Sequence, residues 1–385
     1  MPAIMLKGAG IDQTVITDAT ASGGWKNSLL WIESVEGKPF RITGFTFTDL
    51  GELDPNGVIR IRGTNKNWRV DHCKFDDITQ RGVRTGGFTY GVIDHCTFIV
   101  PDDGSVQTIG VIGDGDASWE RPLSLGTADA VYVEDSTFDF VIKNDGPFDA
   151  YNGARYVFRY NTVTNTTPGH HGRDSGNYRS THSFEIYGNE ILSTYEPGKN
   201  LFTALHFRGG TGVVFDNTLT GRFGNGLLVV NHCSCPDMIC SWEPCTTYPC
   251  IDQIGRSSDS DQDGAQDLEP LYEWNNSFNG GDLDIEVQNE CSAACIQEGR
   301  DFHNDLARPD YVPYVYPDPL VQLGLPTPSA DLNGDGRVDV LDVQLCINVI
   351  AGIERDPVVV SKADFNMDGH VDNGDVMAII HRVLQ

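Results

Sequence analysis

Between positions 40 and 219 the chain repeats one short pattern, apolar-x-apolar-x-x-polar-x-apolar, seven times with some lapses: 40–47, 68–75, 91–98, 131–138, 156–163, 184–191 and 212–219. Phe47 and Leu219 close the first and last copies. They lie 172 residues apart over six intervals, about 29 per copy, a period typical of solenoids. Alternation inside each copy predicts a strand, and the turn residues after it predict a tight bend. Strands of this kind pair with the copies before and after them, so the pattern predicts a parallel β-helix.

Aligning the copies assigns faces. Ile42, Val70, Ile93, Val133, Phe158, Ile186 and Val214 point inward. The two flanking columns are expected to face solvent: Thr43, Asp71, Asp94, Glu134, Arg159, Tyr187, Phe215, and Arg41, Arg69, Val92, Tyr132, Val157, Glu185, Val213. Ser136, Asn161, Asn189 and Asn217 share one bend position, where side-chain amides bond along the stack. Cys73 and Cys96 share the same position one rung apart, as a disulfide or as two stacked thiols.

After Val230 the repeat breaks into a cysteine-rich insertion, about 231–296, that holds the acidic loop of Asp259, Asp261, Asp263 and Asp267. Residues 311–319 read as an extended tail that either wraps the side of the coil or caps its end. A proline-rich linker, 321–329, leads to 330–385. There two acidic loops stand 33 residues apart: Asp331, Asn333, Asp335, Arg337, Asp342, and Asp364, Asn366, Asp368, His370, Asp375. Side-chain oxygens at loop positions 1, 3, 5 and 12, a carbonyl at 7 and glycine at 6 surround one hard cation, and calcium suits such a set. Helices are drawn at 343–351 and 376–384.

These features carry two resemblances. Over most of residues 1–320 the chain resembles the right-handed parallel β-helix superfamily of pectate lyases, polygalacturonases and related polysaccharide enzymes. Residues 330–385 resemble a type I dockerin, which implies docking onto a cohesin. Loop positions 10 and 11 depart from that family's Ser/Thr preference, with Val340-Leu341 and Asn373-Gly374. The fold class is therefore all-β, a solenoid with a small α-helical calcium-binding appendage.

Composition narrows the partners. The chain has 385 residues and a net charge of −28, which opposes nucleic acid and anionic lipid, and no apolar run spans a bilayer. Ten cysteines, seven of them within 233–295, point to export and an oxidising compartment, although no signal peptide opens the chain at Met1. Seven cysteines in the insertion leave Cys346 either bonded to the odd one or free.

Candidate chemistry clusters between 149 and 208, where Asp149 and four of the ten histidines fall. β-Elimination on a uronate needs a cation to neutralise the carboxylate and a base to take the C5 proton. Arg179 and Arg208 are expected to bind carboxylate, and Arg159, next to the stacked acids Asp71, Asp94 and Glu134, resembles the arginine that acts beside calcium in pectate lyases. His171 or Tyr187 supplies base and acid, with Asp174 orienting a histidine. Tyr151, Arg155, His170, Arg173 and His206 are expected to line the substrate groove. A hydrolase would instead pair Asp174 with Glu185. Stacked Asp71, Asp94 and Glu134 invite a groove cation, so calcium is expected twice in the C-terminal module, with one more ion in the insertion and one in the groove. The ligand is an acidic polysaccharide, cleaved by a lyase tethered outside the cell. A non-catalytic glycan binder, or a filament subunit that self-associates through the C-terminal module, are the alternatives.

Overall fold

The computed structural model describes residues 4–18, 28–49, 57–78, 81–100, 107–141, 146, 148–173, 178–196, 201–230, 248–322, 330–365 and 370–383. Two ten-stranded sheets run the length of the coil, parallel except for one terminal antiparallel pairing, with a five-stranded and a three-stranded parallel sheet along the remaining side. Each rung supplies one strand to each long sheet, as in a solenoid. The predicted columns pair residue for residue: Ile42 with Val70, Val70 with Ile93, and Ile93 with Val133. Phe47, Phe75, Phe98 and Phe138 stack inside at centroid spacings of 5.3, 4.7 and 4.8 Å.

The amide ladder forms and runs one rung further. Asn161 Nδ2 donates to Asn189 Oδ1 at 3.1 Å, Asn189 to Asn217 at 2.9 Å, and Asn217 to Asn276 at 2.8 Å. Below it, the Ser136 hydroxyl accepts the Cys96 N–H at 3.1 Å. Cys73 and Cys96 are buried free thiols, so the stacked-thiol alternative holds there. Cys346 is also free, 0% exposed among the core residues of the C-terminal helices. Cys250 and Cys291 are disulfide-bonded; Cys233, Cys235, Cys240 and Cys245 lie outside the described residues.

At the last rung the inward column changes character, because Glu273 pairs in register with Val214. It is 1% exposed, accepting from the Asn276 side chain and from the Asp305 N–H. Burial outweighs those bonds and pushes its carboxyl up to about 7. A raised carboxyl stabilises the fold fully below its unfolded value near 4.5, and that contribution is lost as pH rises through 7. Stability should therefore fall by up to about 3 kcal/mol between pH 4.5 and 8. Glu273→Gln should flatten that fall in denaturant titrations, and an unchanged pH profile would refute the assignment.

The two flanking columns do not face solvent. Asp71, Asp94, Glu134 and Arg159 are each 0% exposed, because the 311–322 tail lies along the side of the first long sheet. Tyr311, Tyr314, Leu320 and Val321 pack onto Val92, Tyr132, Val157, Tyr187 and Phe215. Polar groups pin the tail: Arg159 donates to the carbonyls of Tyr314 and Val315, Arg69 to that of Val321, and the Asp318 N–H to Glu134. The stacked acids are paired with arginines, Asp71 with Arg41 and Arg69, Asp94 with Arg69, and Glu134 with Arg159. The stacked acids therefore hold no vacant carboxylates for the expected groove cation.

Three helices follow, Val340–Ile350, Pro357–Ala363 and Asn373–Val383. The middle one has no counterpart among the two helices expected from sequence, and its start is marked by Asp356, which caps it by accepting the Val358 N–H, with Pro357 at the first position. The 323–329 linker segment lies outside the described residues. Among the described residues no helix is long and apolar enough to cross a membrane.

Candidate active site

The coil interrupts its regular strands beside Phe148–Tyr151, where backbone hydrogen bonds outside any named strand stitch in the 168–172 segment. Gly169 bridges His206, and the His171 N–H donates to Ala150 O at 2.9 Å. The Gly-His-His-Gly sequence follows from this packing. A Cβ on Gly169 would stand 2.5 Å from His206 O, and one on Gly172 2.1 Å from Arg208 O, so both flanks must lack side chains. Between them the two histidines point opposite ways.

His170 turns inward. It is 4% exposed, stacks on Phe207 at 5.0 Å and bonds Tyr156 Oη and Gly209 O, each at 2.9 Å. Burial holds it well below the ordinary imidazole range, so it stays neutral. His171 turns outward. Its Nδ1 lies 2.6 Å from Asp149 Oδ1, while Arg81 grips the other oxygen of Asp149. Burial pushes Asp149 up, but the hydrogen bond and charge of His171, joined by Arg81, hold it at about 2.

The arginine reaches Asp149 across an intervening rung. Arg84, Gly110 and Asp149 occupy one register column of the five-stranded sheet, and a Cβ on Gly110 would meet Arg81 Cδ at 2.9 Å. Arg84 crosses the same gap to the Tyr151 hydroxyl at 3.3 Å. Burial raises the Tyr151 phenol, with Arg84 acting against it, so the hydroxyl keeps its proton at neutral pH. Tyr151 meets His171 edge-on at 6.1 Å and Tyr178 at 5.3 Å. An open cleft of about 190 Å³ adjoins, lined by Gln107, His170, His171, Phe202, His206 and Arg208 among others.

Of the residues picked from sequence, His171, Tyr151, His170, His206 and Arg208 gather here, Arg208 donating its Nε to His170 O at 3.0 Å. The others lie elsewhere. Arg179 is locked bidentately on Asp252 and also bonds Asp116. Arg155 is buried, donating to the carbonyls of Ser118, Arg121 and Leu123. Arg173 is partly buried, and burial lowers its guanidinium from the usual value. Arg159, Tyr187 and Glu185 lie under the tail. Glu185 is 2% exposed, its oxygens accepting from Gly126 N and Tyr311 Oη, so it cannot flank a glycosidic bond, and the hydrolytic pair is not assembled. Asp174 lies outside the described residues. Sequence reasoning missed Arg81 and Arg84, which precede and enter a strand with no counterpart in the aligned repeat.

The first calcium loop winds as such a loop should. Gly334 and Gly336 adopt positive φ of 76° and 86°, and Asp331 gathers the N–H groups of Gly334, Asp335 and Gly336. Asp342 is buried and bonds the N–H groups of Leu332, Asn333 and Asp339. Asp375 repeats the last contact with Asp372 N at 2.9 Å. Arg337 and His370 hold position 7, where the backbone carbonyl is the ligand; Asn366 and Asp368 lie outside the described residues. The donor set fits a calcium ion. In the insertion, the carboxylates of Asp259, Asp261 and Asp263 approach within 4.8 Å of one another, whereas Asp267 accepts from Ser260 N. Chelation should melt the three C-terminal helices while leaving the sheet signal intact in circular dichroism. Helicity unchanged by chelator would refute a folding role for the metal.

Residues 329–384 match the model of the dockerin type I domain. Neither the search of curated proteins nor that of solved structures returned a match for the chain.

Proposed function

We propose that this is an extracellular, calcium-dependent dockerin-bearing lyase, a right-handed parallel β-helix over residues 1–320 that cleaves a uronic-acid polysaccharide by β-elimination. The observation that carries the reading is the Asp149–His171 pair beside Arg81, Arg84 and Tyr151 on an open face of the coil. With Asp149 ionised and accepting from Nδ1–H, the Nε2 of His171 keeps a lone pair for the C5 proton. Arg81 and Arg84 neutralise the substrate carboxylate, which makes that proton acidic. The C5–H electrons become the C4=C5 double bond, the C4–O4 bond breaks, and the Tyr151 hydroxyl returns a proton to the leaving oxygen. His206 and Arg208 would hold the chain in the adjoining cleft.

The dockerin match supports a carbohydrate-active protein assembled through a cohesin. Exposed Val340 and Leu341, 70% and 56% accessible, supply an apolar patch for such a partner, or for self-association. Two calcium ions are proposed in this module and one at Asp259–Asp263.

Incubation with calcium and pectate, alginate, glucuronan or glycosaminoglycans should give the absorbance of an unsaturated product. New reducing ends without that absorbance would move the reading to hydrolysis, and binding with neither would overturn the enzyme.

A further inference from the structure

The five-stranded sheet presents two outward columns that lead away from the candidate site toward the first rungs. One runs Trp31, Arg60, Arg84, Gly110, Asp149, and the other Glu33, Arg62, Gly86, Ile112, Tyr151. Three arginines thus stand on two adjacent rungs of a chain whose net charge is −28. Arg62 is exposed and makes no hydrogen bond or ion pair with any other described residue. Its stem lies along the next rung over Gly86, where a Cβ would touch Arg62 Cγ at 3.8 Å. Arg84 leans the same way over Gly110. Arg60 stacks its guanidinium on the exposed Trp31 ring at 4.5 Å, which fixes the fork in place. Glu33, bonded to the Trp31 indole N–H at 2.6 Å, is the one acid in these columns above Arg62, and it marks their far end.

We infer that Arg60, Arg62 and Trp31 form a binding track for an anionic glycan that enters along the coil axis and is delivered to His171. The track spans four rung intervals of about 4.8 Å each, roughly 19 Å, so it accommodates several sugar residues rather than one. Guanidinium forks recognise planar carboxylates and sulfates alike, and the aromatic faces of Trp31, Tyr151 and Tyr178 receive the apolar faces of the sugar rings. The direction rests on the catalytic reading above; the track itself does not.

The test uses full-length His171→Ala protein with calcium, titrated with labelled oligouronates of two, four and six residues and with sulfated oligosaccharides of equal length. Affinity should rise from two to four residues and weaken with added salt. Arg62→Ala should cost the tetramer roughly tenfold and leave the dimer unchanged, and Arg60→Ala should act likewise. Because Arg62 is exposed and has no partner among the described residues, its removal leaves the fold intact, which a thermal melt verifies. The uronate and sulfate series identify which anion the forks select. Affinity independent of length, insensitivity to both substitutions, absence of binding, or equal displacement by single-stranded oligonucleotide would each overturn the track. Length-dependent binding in a protein that cleaves no uronan would retain the track and sink the lyase. Turnover and long-chain affinity unaltered by Arg60→Ala and Arg62→Ala would do the reverse.

Discussion

Arg159→Met should destabilise the coil by about 3–5 kcal/mol and release the 311–322 tail. The side chain is 0% exposed, and its N–H groups are all engaged: Nε and Nη2 on Glu134, Nη1 on Tyr187 Oη and Tyr314 O, Nη2 also on Val315 O. Tyr132 and Tyr316 rings lie 4.7 and 5.3 Å from the guanidinium carbon. Methionine fills most of the volume but leaves Glu134 as a buried carboxylate without its cation. Burial already raises the Glu134 carboxyl, so the variant would take up a proton there and lose its hold on the tail. Adding Glu134→Gln should recover part of the loss, since a neutral amide is less costly to bury alone. Thermal unfolding and limited proteolysis of the tail read both effects. A melting temperature and a tail resistance equal to wild type would refute the clamp.

That clamp also shows how far the sequence could be read. Register was legible to the residue, because the inward column and the amide ladder depend only on neighbouring rungs. Exposure of the outward columns was not, because their cover comes from Tyr311 to Val321, more than a hundred residues beyond Tyr187. Val92, Tyr132, Val157 and Val213 are apolar at outward positions, and a strand apolar on both faces is buried on both. In the site, His171 was legible because four of the ten histidines cluster between 149 and 208; the close backbone approach at Gly169 and Gly172 is visible only in the structure. Arg81 and Arg84 were missed for a different reason. Loops of variable length precede the strands of the five-stranded sheet, so the 29-residue period drifts there and no repeat alignment superposes them. The usable signal was local: Arg60 and Arg62 alternate with Ile59 and Ile61, as outward residues of a strand do.

His171→Ala should lower kcat on a uronan by 10²–10⁴-fold, the usual worth of a positioned base, while long-chain affinity stays near wild type. Asp149→Asn should lose much of the same activity without unfolding the coil, because an amide no longer selects the Nδ1–H tautomer and no longer balances an imidazolium. The carboxyl stays ionised down to about pH 2, so Asp149 contributes no acid limb to the rate profile above about pH 4. Gly110→Val separates positioning from chemistry. Its Cβ would meet Arg81 Cδ at 2.9 Å and Arg84 Cγ at 3.2 Å, displacing both arginines without touching His171 itself. If those arginines only bind the carboxylate, KM rises and kcat holds; if they also acidify the C5 proton, kcat falls with it. The elimination mechanism requires the second result. Activity intact in all three variants would place the chemistry elsewhere on the coil, where the exposed His95 also pairs with a buried carboxylate, Asp94, held by Arg69.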